Sequence, residues 1–464
     1  MPSISCRCRN RRNAMGIAHK PAFFGNSAPA DDRTERRVPP ASSRAQSRDT
    51  RIDALRAFCL ITIFVNHVPG NPFEQFSSKN FGFSDAAEAF VLISGVSAAY
   101  AYGLKFHAGS RLLTAIRAWR RAGVLYVAHL VCTLVTLAIF TGFSLYYAAP
   151  ELLDTINIMP LITDPIRGIV GLVTLGHQLG YNNILSMYGV ILLMLPLFLL
   201  LAHWGIAVML VASGALWLAC GLFLVALPTY PGGNFWFINP LSWQFLFVIG
   251  MAANMHVQRG GRIPVSVTLQ VFSIGYLLLS LAWVKVPFWG VDVSFGLPAV
   301  LTGFDKTFLS VSRLLHILAM AYLLATVPAL SNVWRVGRRN PLSVMGRHAL
   351  PVFIAGTLLA MLAQAWTLSH AGGATVLGLI VVAGLVAQAA LAYYLEWLNS
   401  LKSAAKRPVA NLQTVSAVDA PLSASAHVPD FRPAVAPPLG LRRDPYARAH
   451  QQLGLEHRAI SMIL

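Results

Sequence analysis

Long apolar runs constrain the fold of this chain more than any other feature of its sequence. Residues 122–143, 184–202 and 374–395 are three such runs, and each is close to the ~20 residues that a helix needs to cross a bilayer. The chain has 464 residues, of which 56% are hydrophobic and 12% are charged. Because soluble globular proteins carry about 25% charged residues, the sequence predicts an all-α integral membrane protein.

Ten segments are candidate transmembrane helices. They are predicted at residues 54–68, 83–103, 122–143, 183–202, 205–226, 241–257, 265–284, 308–330, 350–366 and 374–398. The short loops on one side of these segments are basic and contain Lys105, Arg111, Arg117, Arg120, Arg121, Arg259, Arg262, Arg335, Arg338, Arg339 and Arg347. The opposite loops hold only Lys79, Arg167 and Lys306 away from the span edges. Since short cytosolic loops carry the excess of Lys and Arg, the pattern predicts about ten transmembrane helices with both termini in the cytosol.

Three regions follow from this pattern. Residues 51–398 form the polytopic membrane domain, and residues 1–50 and 399–464 are hydrophilic tails rich in Pro, Ala, Ser and Arg. Both tails are predicted to be disordered, basic and cytosolic, because they cannot bury enough apolar surface to fold alone. The net charge of +18 is shared by the tails and the loops, so we expect no nucleic-acid partner. We also expect no metal, ATP or NAD, because zinc-ligand spacing, a Walker loop and a dinucleotide fingerprint are all missing.

The first predicted span, RIDALRAFCLITIFVNHVPG, carries ionisable residues that a simple anchor does not need. Asp53, Arg56 and His67 share one helix face, because eleven residues correspond to about three turns, and the rise from Arg56 to His67 is ~16 Å. Ionisable groups inside a membrane indicate function by default, since their desolvation is costly. The alternatives are an interfacial ion pair for Asp53 and Arg56, and a hydrogen-bonded interhelical histidine for His67.

Two acidic residues begin the second predicted span at the level of His67. Asp85 and Glu88 are i, i+3 neighbours, and a carboxylate beside a histidine can fix its tautomer and stabilise its protonated form. We therefore group both acids with His67 as catalytic candidates. In the alternative interpretation they stabilise the helix N-terminus through its dipole, with Ser84 as the N-cap.

These two spans resemble a known family. The segments RIDALRAF, IFVNHVPGNPF and NFGFSDAAEAFVLISGVSAAYAYG closely resemble the OpgC family of integral-membrane acyltransferases, which is related to the acyltransferase-3 group. The wider group has an arginine followed, after ten residues, by a histidine, a pattern that Arg56 and His67 match. Residues 176–197, 237–251, 304–323 and 345–359 are also similar, so the resemblance covers about residues 48–398. Ala57 departs from the glycine expected after the arginine.

The resemblance implies an O-acyltransferase of the bacterial inner membrane. Its co-substrate would be a cytosolic acyl-CoA, either succinyl-CoA or acetyl-CoA, and its acceptor a hydroxyl of a periplasmic or envelope glycan at the outer face. A pantetheine arm entering past Arg56 and Asp53 would present its thioester near His67. His67 would then act as general base or carry the acyl group transiently, while the planar fork of Arg56 would bind phosphate or CoA oxygens.

Further polar residues are candidates for substrate binding at the outer side. They are Asn66, which is the nearest donor for an oxyanion, together with His177, Gln178, Asn182, Asn183, Asp305 and Arg313. Amide and aromatic side chains suit a sugar, whereas the neighbouring Trp and Tyr residues also fit an interfacial aromatic belt. Arg313 requires an acidic partner, for which Asp85, Glu88 and Asp305 are available.

Two other function classes remain open on the sequence alone. A transporter or flippase for a lipid-linked or envelope glycan could use the same intramembrane charges as a pathway, although the sequence offers no clear inverted repeat or pair of matched broken helices. A purely structural membrane scaffold leaves the aligned Asp53, Arg56 and His67 unexplained. The lipid bilayer is the partner that all three classes share.

Overall fold

The computed structural model describes residues 49–405, apart from residues 287, 289, 290, 292, 293 and 371. Every regular element within these residues is helical, and one isolated antiparallel bridge joins Pro228 to Phe235. The predicted all-α class is therefore confirmed. The predicted tails at residues 1–50 and 399–464 lie outside the described residues except at their inner ends, where the final helix continues to Ala405.

The described residues contain sixteen α-helices. In chain order they are α1 Thr50–Asn66, α2 Ala86–Tyr102, α3 Arg111–Tyr147, α4 Leu152–Thr155, α5 Met159–Thr163, α6 Pro165–Val173, α7 Asn183–Trp204, α8 Ile206–Phe223, α9 Pro240–Gln258, α10 Val267–Lys285, α11 Ala299–Thr302, α12 Val311–Thr326, α13 Pro328–Val333, α14 Pro341–Arg347, α15 Ala349–Ser369 and α16 Ala374–Ala405. Short 3₁₀ turns lie at Glu74–Phe76, Ser78–Asn80, Gly103–Lys105 and Ala108–Ser110.

Seven of the helices in the described part of the chain are long and apolar enough to cross a membrane, namely α2, α3, α7, α8, α10, α15 and α16. The chain is thus a multi-pass membrane protein. The other three predicted spans correspond to α1, α9 and α12, which are shorter or more polar. The predicted span 308–330 is divided, because α12 ends at Thr326 and Pro328 begins α13, where proline cannot continue the hydrogen-bond ladder of α12.

Helix α2 lies in close contact with α9 because glycines remove side chains from both surfaces. A Cβ atom on Gly95 would overlap the carbonyl oxygen of Phe247, and one on Gly250 would overlap that of Leu92. Small residues at a helix interface allow backbones to approach in this way within a membrane. Asn254 adds a side-chain bond across the same interface by donating to the carbonyl of Val96 (2.7 Å).

Helix α1 lies inside the bundle, where it packs against α2, α14 and α15. A Cβ atom on Gly346 of α14 would overlap the backbone of Asp53, so the two helices meet almost backbone to backbone. By contrast, α10 exposes Val267, Val271 and Phe272. Lipid tails cover such apolar faces in a membrane protein. The polar residues of α1 are instead isolated from lipid by the helices that surround them.

Candidate active site

His67 lies at the C-terminal end of α1, which places it at a helix boundary inside the bundle. Its backbone N–H donates to the carbonyls of Ile63 (3.2 Å) and Phe64 (3.0 Å), and its own carbonyl accepts from Nε2 of Gln364 (2.6 Å). The imidazole stacks on the ring of Tyr181, with centroids 4.0 Å apart and planes inclined by 18°. Backbone bonds and one aromatic wall therefore hold the imidazole in place.

Arg56 lies at the opposite end of α1 and joins three helices. Its Nη1 lies 3.3 Å from the carboxylate of Asp53 and donates to the carbonyl of Gly346 in α14 (3.2 Å). Its Nη2 donates to the hydroxyl of Ser97 in α2. The ion pair between Asp53 and Arg56, which the sequence analysis gave as an alternative to a functional role, is present in the structure. The guanidinium is thus fixed on two sides by side chains and on a third by backbone.

A large cavity, here called the arginine cavity, lies beside Arg56 and has a volume of about 1060 Å³. Its wall contains five basic side chains from α1, α3, α14 and the start of α15: Arg56, Arg120, Arg121, Arg347 and His348. Arg347 and His348 both contact the carboxylate of Glu396 (2.9 Å each). Arg120 and Arg121 are exposed and pair with no acidic side chain in the described ranges.

The remaining wall of the arginine cavity is mostly apolar. It continues along α3 from Arg120 to Val131, a rise of ~16 Å for eleven residues. Leu185 of α7 and Phe353 of α15 line the same space, and Ser94 and Tyr188 are its uncharged polar residues away from Arg56. A cavity with basic side chains in one part of its wall and apolar side chains in the rest suits a ligand with an anionic head and a long, weakly polar arm.

A second, smaller cavity is bordered by Tyr181 and Gln364, which both contact His67, and is here called the Tyr181 pocket. Its volume is about 370 Å³. It is lined by Pro69, Thr155, Ile156, Gly180, Tyr181, Gln364, Thr367 and Leu368. Tyr181 is therefore shared, because its ring contacts the His67 imidazole and also borders the pocket. The two ends of α1 are each associated with a different cavity.

Asp85 and Glu88 lie in an ion cluster at the start of α2. Arg313 of α12 donates to Glu88 through Nε (2.7 Å) and Nη2 (2.6 Å), and lies 3.7 Å from Asp85, which also pairs with Lys306. The expectation that Arg313 needs an acidic partner is confirmed. Among the described residues, neither acid hydrogen-bonds to His67, because the two cations take up their carboxylates.

The N-cap of α2 is Asp85, so the assignment of Ser84 as the cap was wrong. The Asp85 carboxylate accepts from the N–H of Ala87 (2.7 Å), and Glu88 accepts from the N–H of Asp85 (2.9 Å), which together form a capping box. The Ser84 hydroxyl instead lies 2.6 Å from Nδ1 of His316. A carboxylate accepts these terminal N–H groups while two cations balance its charge, and this explains the preference for Asp85.

Most of the other predicted binding residues form hydrogen bonds within the protein. Nε2 of His177 lies 2.9 Å from the Asn157 carbonyl, Gln178 donates to Ser186 (2.9 Å), and Asn182 donates to Thr136 (3.4 Å). Asp305 accepts from the N–H of Phe308 (2.7 Å) and Asn183 begins α7. The buried Oδ1 of Asn66 has no hydrogen-bond partner within the described residues. These side chains do not converge on one site.

His177 illustrates why a polar residue in this region need not bind substrate. It lies between α6 and α7 and is 3% exposed. Burial lowers the pKa of its imidazole, and the bond to the Asn157 carbonyl opposes this change. A buried histidine with a backbone partner is a structural element of the connection.

A family model described as OpgC protein matches residues 48–400. The chain belongs to the OpgC family. The match begins just before α1 and ends within α16, so it includes both cavities and the ion cluster. No curated protein and no solved structure matches the chain at a significant level. Membership in the OpgC family points to an acyltransferase of glucans.

Two features of this OpgC family member escaped the sequence analysis. Gln364, which bonds to the His67 carbonyl, lies 297 positions away, and only the fold brings the two together. His129 is fully buried in α3, with Nδ1 3.1 Å from the carbonyl of Asn182. Its position inside an apolar run was a usable signal, since intramembrane ionisable residues are rare and expensive. Tyr181 and Asn182 are thus consecutive residues that contact two different histidines.

Proposed function

We propose that this chain is a membrane O-acyltransferase that moves an acyl group from a cytosolic acyl-CoA to a hydroxyl of a periplasmic or envelope glycan. One observation carries the proposal. Helix α1 holds Arg56 in a large basic cavity near one end, and at the other end His67 contacts Tyr181 and Gln364, which line a separate pocket. This arrangement suits two substrates that approach from opposite sides. Membership in the OpgC family supports the same reaction class.

The proposed topology has ten transmembrane helices and both termini in the cytosol. The three helices beyond the seven long apolar ones are α1, α9 and α12, with 17, 19 and 16 residues. At 1.5 Å per residue they extend about 24 to 29 Å, close to a ~30 Å hydrocarbon core. The surrounding helices shield α1, α9 and α12 from lipid, so their polar side chains are compatible with a position within the membrane. The predicted location is the bacterial inner membrane, and Arg56 then faces the cytosol.

The arginine cavity is the proposed binding site for acyl-CoA, with succinyl-CoA and acetyl-CoA as the two candidates. Arg120 and Arg121 would contact the phosphates, which guanidinium groups bind well. Arg56, held by Asp53, would contact oxygens further along the arm. The apolar wall from Arg120 to Val131 provides the length for pantetheine, whose thioester would then lie towards the His67 end of the bundle.

His67 is the proposed catalytic residue. A neutral ring nitrogen of His67 would take the proton of the acceptor hydroxyl as its oxygen attacks the thioester carbonyl carbon. The carbon–sulfur bond then breaks, and the departing CoA thiolate takes the proton from the imidazolium. In the two-step alternative, an imidazole nitrogen attacks the thioester carbonyl carbon, the carbon–sulfur bond breaks and CoA leaves as its thiol with the imidazole proton; the acceptor hydroxyl then takes the acyl group and its proton returns to the imidazole. Stacking on Tyr181 would keep the ring oriented in both routes.

Asp85 and Glu88 are proposed to act on His67 indirectly. Their bonds to Arg313 and Lys306 connect the start of α2 to α12 and to the segment before it. This cluster would fix the walls around His67 rather than contact the reacting atoms. A transporter or flippase would use such charges differently, as a pathway, and would have no need of a thioester.

The test is acyl transfer by the purified protein in nanodiscs, with isotope-labelled succinyl-CoA or acetyl-CoA and a glucan acceptor. Replacing the two exposed arginines of the cavity in Arg120→Gln/Arg121→Gln should raise the KM for the donor about tenfold or more, because the loss of two charge-assisted contacts of at least ~0.7 kcal/mol each corresponds to a factor of about ten. The acceptor KM should remain within twofold of the wild-type value.

Arg117 provides a matched control. It is an exposed arginine on the same helix that does not line the arginine cavity. Arg117→Gln should leave the donor KM unchanged. If Arg117→Gln and the double variant raise the donor KM equally, the cavity is not the donor site. If the wild-type protein neither transfers nor hydrolyses any acyl-CoA, the acyltransferase proposal itself fails and a flippase becomes the better explanation.

A further inference from the structure

The Tyr181 pocket differs from the arginine cavity in charge. None of its lining residues is charged, whereas four arginines line the larger cavity. A site without charges cannot compensate the desolvation of a phosphate or carboxylate. The Tyr181 pocket is therefore suited to a neutral ligand. Its volume of about 370 Å³ lies near the lower limit of ~300 Å³ for small-molecule sites, which limits that ligand to roughly one ring.

The polar atoms of the Tyr181 pocket are mainly acceptors for hydroxyl groups. Thr155 and Thr367 donate their own hydroxyl hydrogens to backbone carbonyls one turn earlier, at Glu151 (3.2 Å) and Ala363 (2.7 Å). Their oxygens can then only accept. Nε2 of Gln364 donates one N–H to the His67 carbonyl (2.6 Å), which leaves its amide oxygen as an acceptor beside its second N–H. The site thus favours a ligand rich in hydroxyl donors.

An aromatic wall completes the pocket. Tyr181 is 38% exposed, so its ring is accessible although it also stacks on His67. Aromatic rings bind the C–H face of sugars while the sugar hydroxyls bond to surrounding acceptors. Ile156 and Leu368 add apolar surface. An uncharged ring of hydroxyl acceptors with one aromatic face matches a neutral hexose.

We propose that the Tyr181 pocket binds one neutral hexose unit of the acceptor glycan and presents one of its hydroxyls to His67. This inference rests on the proposed acyltransferase function and names the part of the protein that selects the acceptor. Tyr181 and Gln364 connect the pocket to the catalytic residue, because both contact His67. They are positioning residues, whereas Thr155 and Thr367 bind sugar only.

Thr155 and Thr163 form a matched pair for testing the pocket. Both are exposed and both donate to the carbonyl four residues earlier, at Glu151 and Met159, but only Thr155 lines the pocket. Thr155→Trp should fill the pocket and raise the acceptor KM at least tenfold. Thr163→Trp should leave that KM within twofold of the wild-type value. Hydrolysis of the acyl-CoA donor without acceptor should be unchanged in Thr163→Trp.

Competition by small sugars tests the charge preference of the pocket. Methyl β-glucoside should inhibit transfer to the glucan competitively, and glucose 6-phosphate at the same concentration should not. Thr155→Trp should abolish the inhibition by methyl β-glucoside.

The outcomes separate the two proposals. An acceptor KM that Thr155→Trp leaves within twofold of wild type overturns the pocket assignment, and so does equal inhibition by the two sugars. In either case transfer by the wild-type protein still supports the acyltransferase function. Absence of transfer and of donor hydrolysis in the wild-type protein instead overturns the acyltransferase function, and with it this assignment.

Discussion

At the scale of single residues, the ion cluster at the start of α2 is the most demanding feature. Glu88 is fully buried and receives two bonds from Arg313, whose side chain is only 12% exposed. A buried ion pair is strongly destabilised when one partner is removed, because the remaining charge lacks compensation. Stability should therefore depend on Glu88 far more than on any exposed acid.

Glu88→Gln tests this dependence. We expect the substitution to destabilise the protein by roughly 3 kcal/mol, since Arg313 keeps only its longer contact with Asp85. Thermal unfolding in detergent, followed by size-exclusion chromatography, measures the effect. Glu74→Gln is the control, because the pair of Glu74 with Lys79 is partly solvent-exposed and such pairs contribute about 0–1 kcal/mol. Equal losses in the two variants would refute a special role for Glu88.

The contacts of single residues could be predicted from the sequence where their partners are close along the chain. The face shared by Asp53 and Arg56 needs only the helical repeat, and the observed ion pair follows from it. The contacts of Tyr181 and Gln364 with His67 were not predictable, because they depend on how the segment before α7 and helix α15 are arranged around the end of α1. The predicted cap Ser84 was wrong, because the cations Lys306 and Arg313, distant in sequence, balance the charge of the acids in the capping box that Asp85 forms.

At the scale of elements, glycines decide how closely the central helices approach. Gly95 of α2 and Gly250 of α9 each face the backbone of the other helix with no room for a methyl group. Predicted boundaries of α2, α7 and α15 lay within three residues of the observed ones. The division of α12 from α13 was missed, because a hydropathy pattern does not register the single Pro328 that ends the hydrogen-bond ladder.

Gly95→Ala should separate α2 from α9. The added methyl group overlaps the Phe247 carbonyl, and overpacking of this kind costs about 1–3 kcal/mol. The thermal midpoint of the purified protein should fall accordingly. Gly275→Ala in α10 is the control, because a Cβ atom there meets open space, and its midpoint should not fall. An unchanged midpoint in Gly95→Ala would show that the interface tolerates a wider spacing.

At the scale of the whole molecule, the topology determines which cavity faces which compartment. The proposed ten spans would place the loop between α2 and α3 and the end of α16 in the cytosol, together with the arginine cavity. The loops after α1 and α8 would then face outward, together with the Tyr181 pocket. This assignment underlies the division between donor and acceptor sites.

Cysteine labelling in spheroplasts measures this topology directly. In a cysteine-free background, a membrane-impermeant maleimide should label Gln75→Cys and Gly232→Cys, which lie in exposed outer loops. Gly109→Cys and Ser403→Cys should react only after permeabilisation. Labelling of Ser403→Cys in sealed spheroplasts would place the C-terminus outside and reverse the two cavities.

His67 is proposed to perform acyl transfer to an envelope glycan. Mass spectrometry of envelope glycans tests it most directly, with cells that carry the wild-type protein, His67→Ala, His203→Ala or a deletion of the gene. His203 is an exposed histidine at the end of α7 and serves as the control. We predict an acyl mass increment with the wild-type protein and His203→Ala, and its loss with the deletion and with His67→Ala protein present in the membrane at the wild-type level. A wild-type increment in the His67→Ala cells would contradict the proposed mechanism.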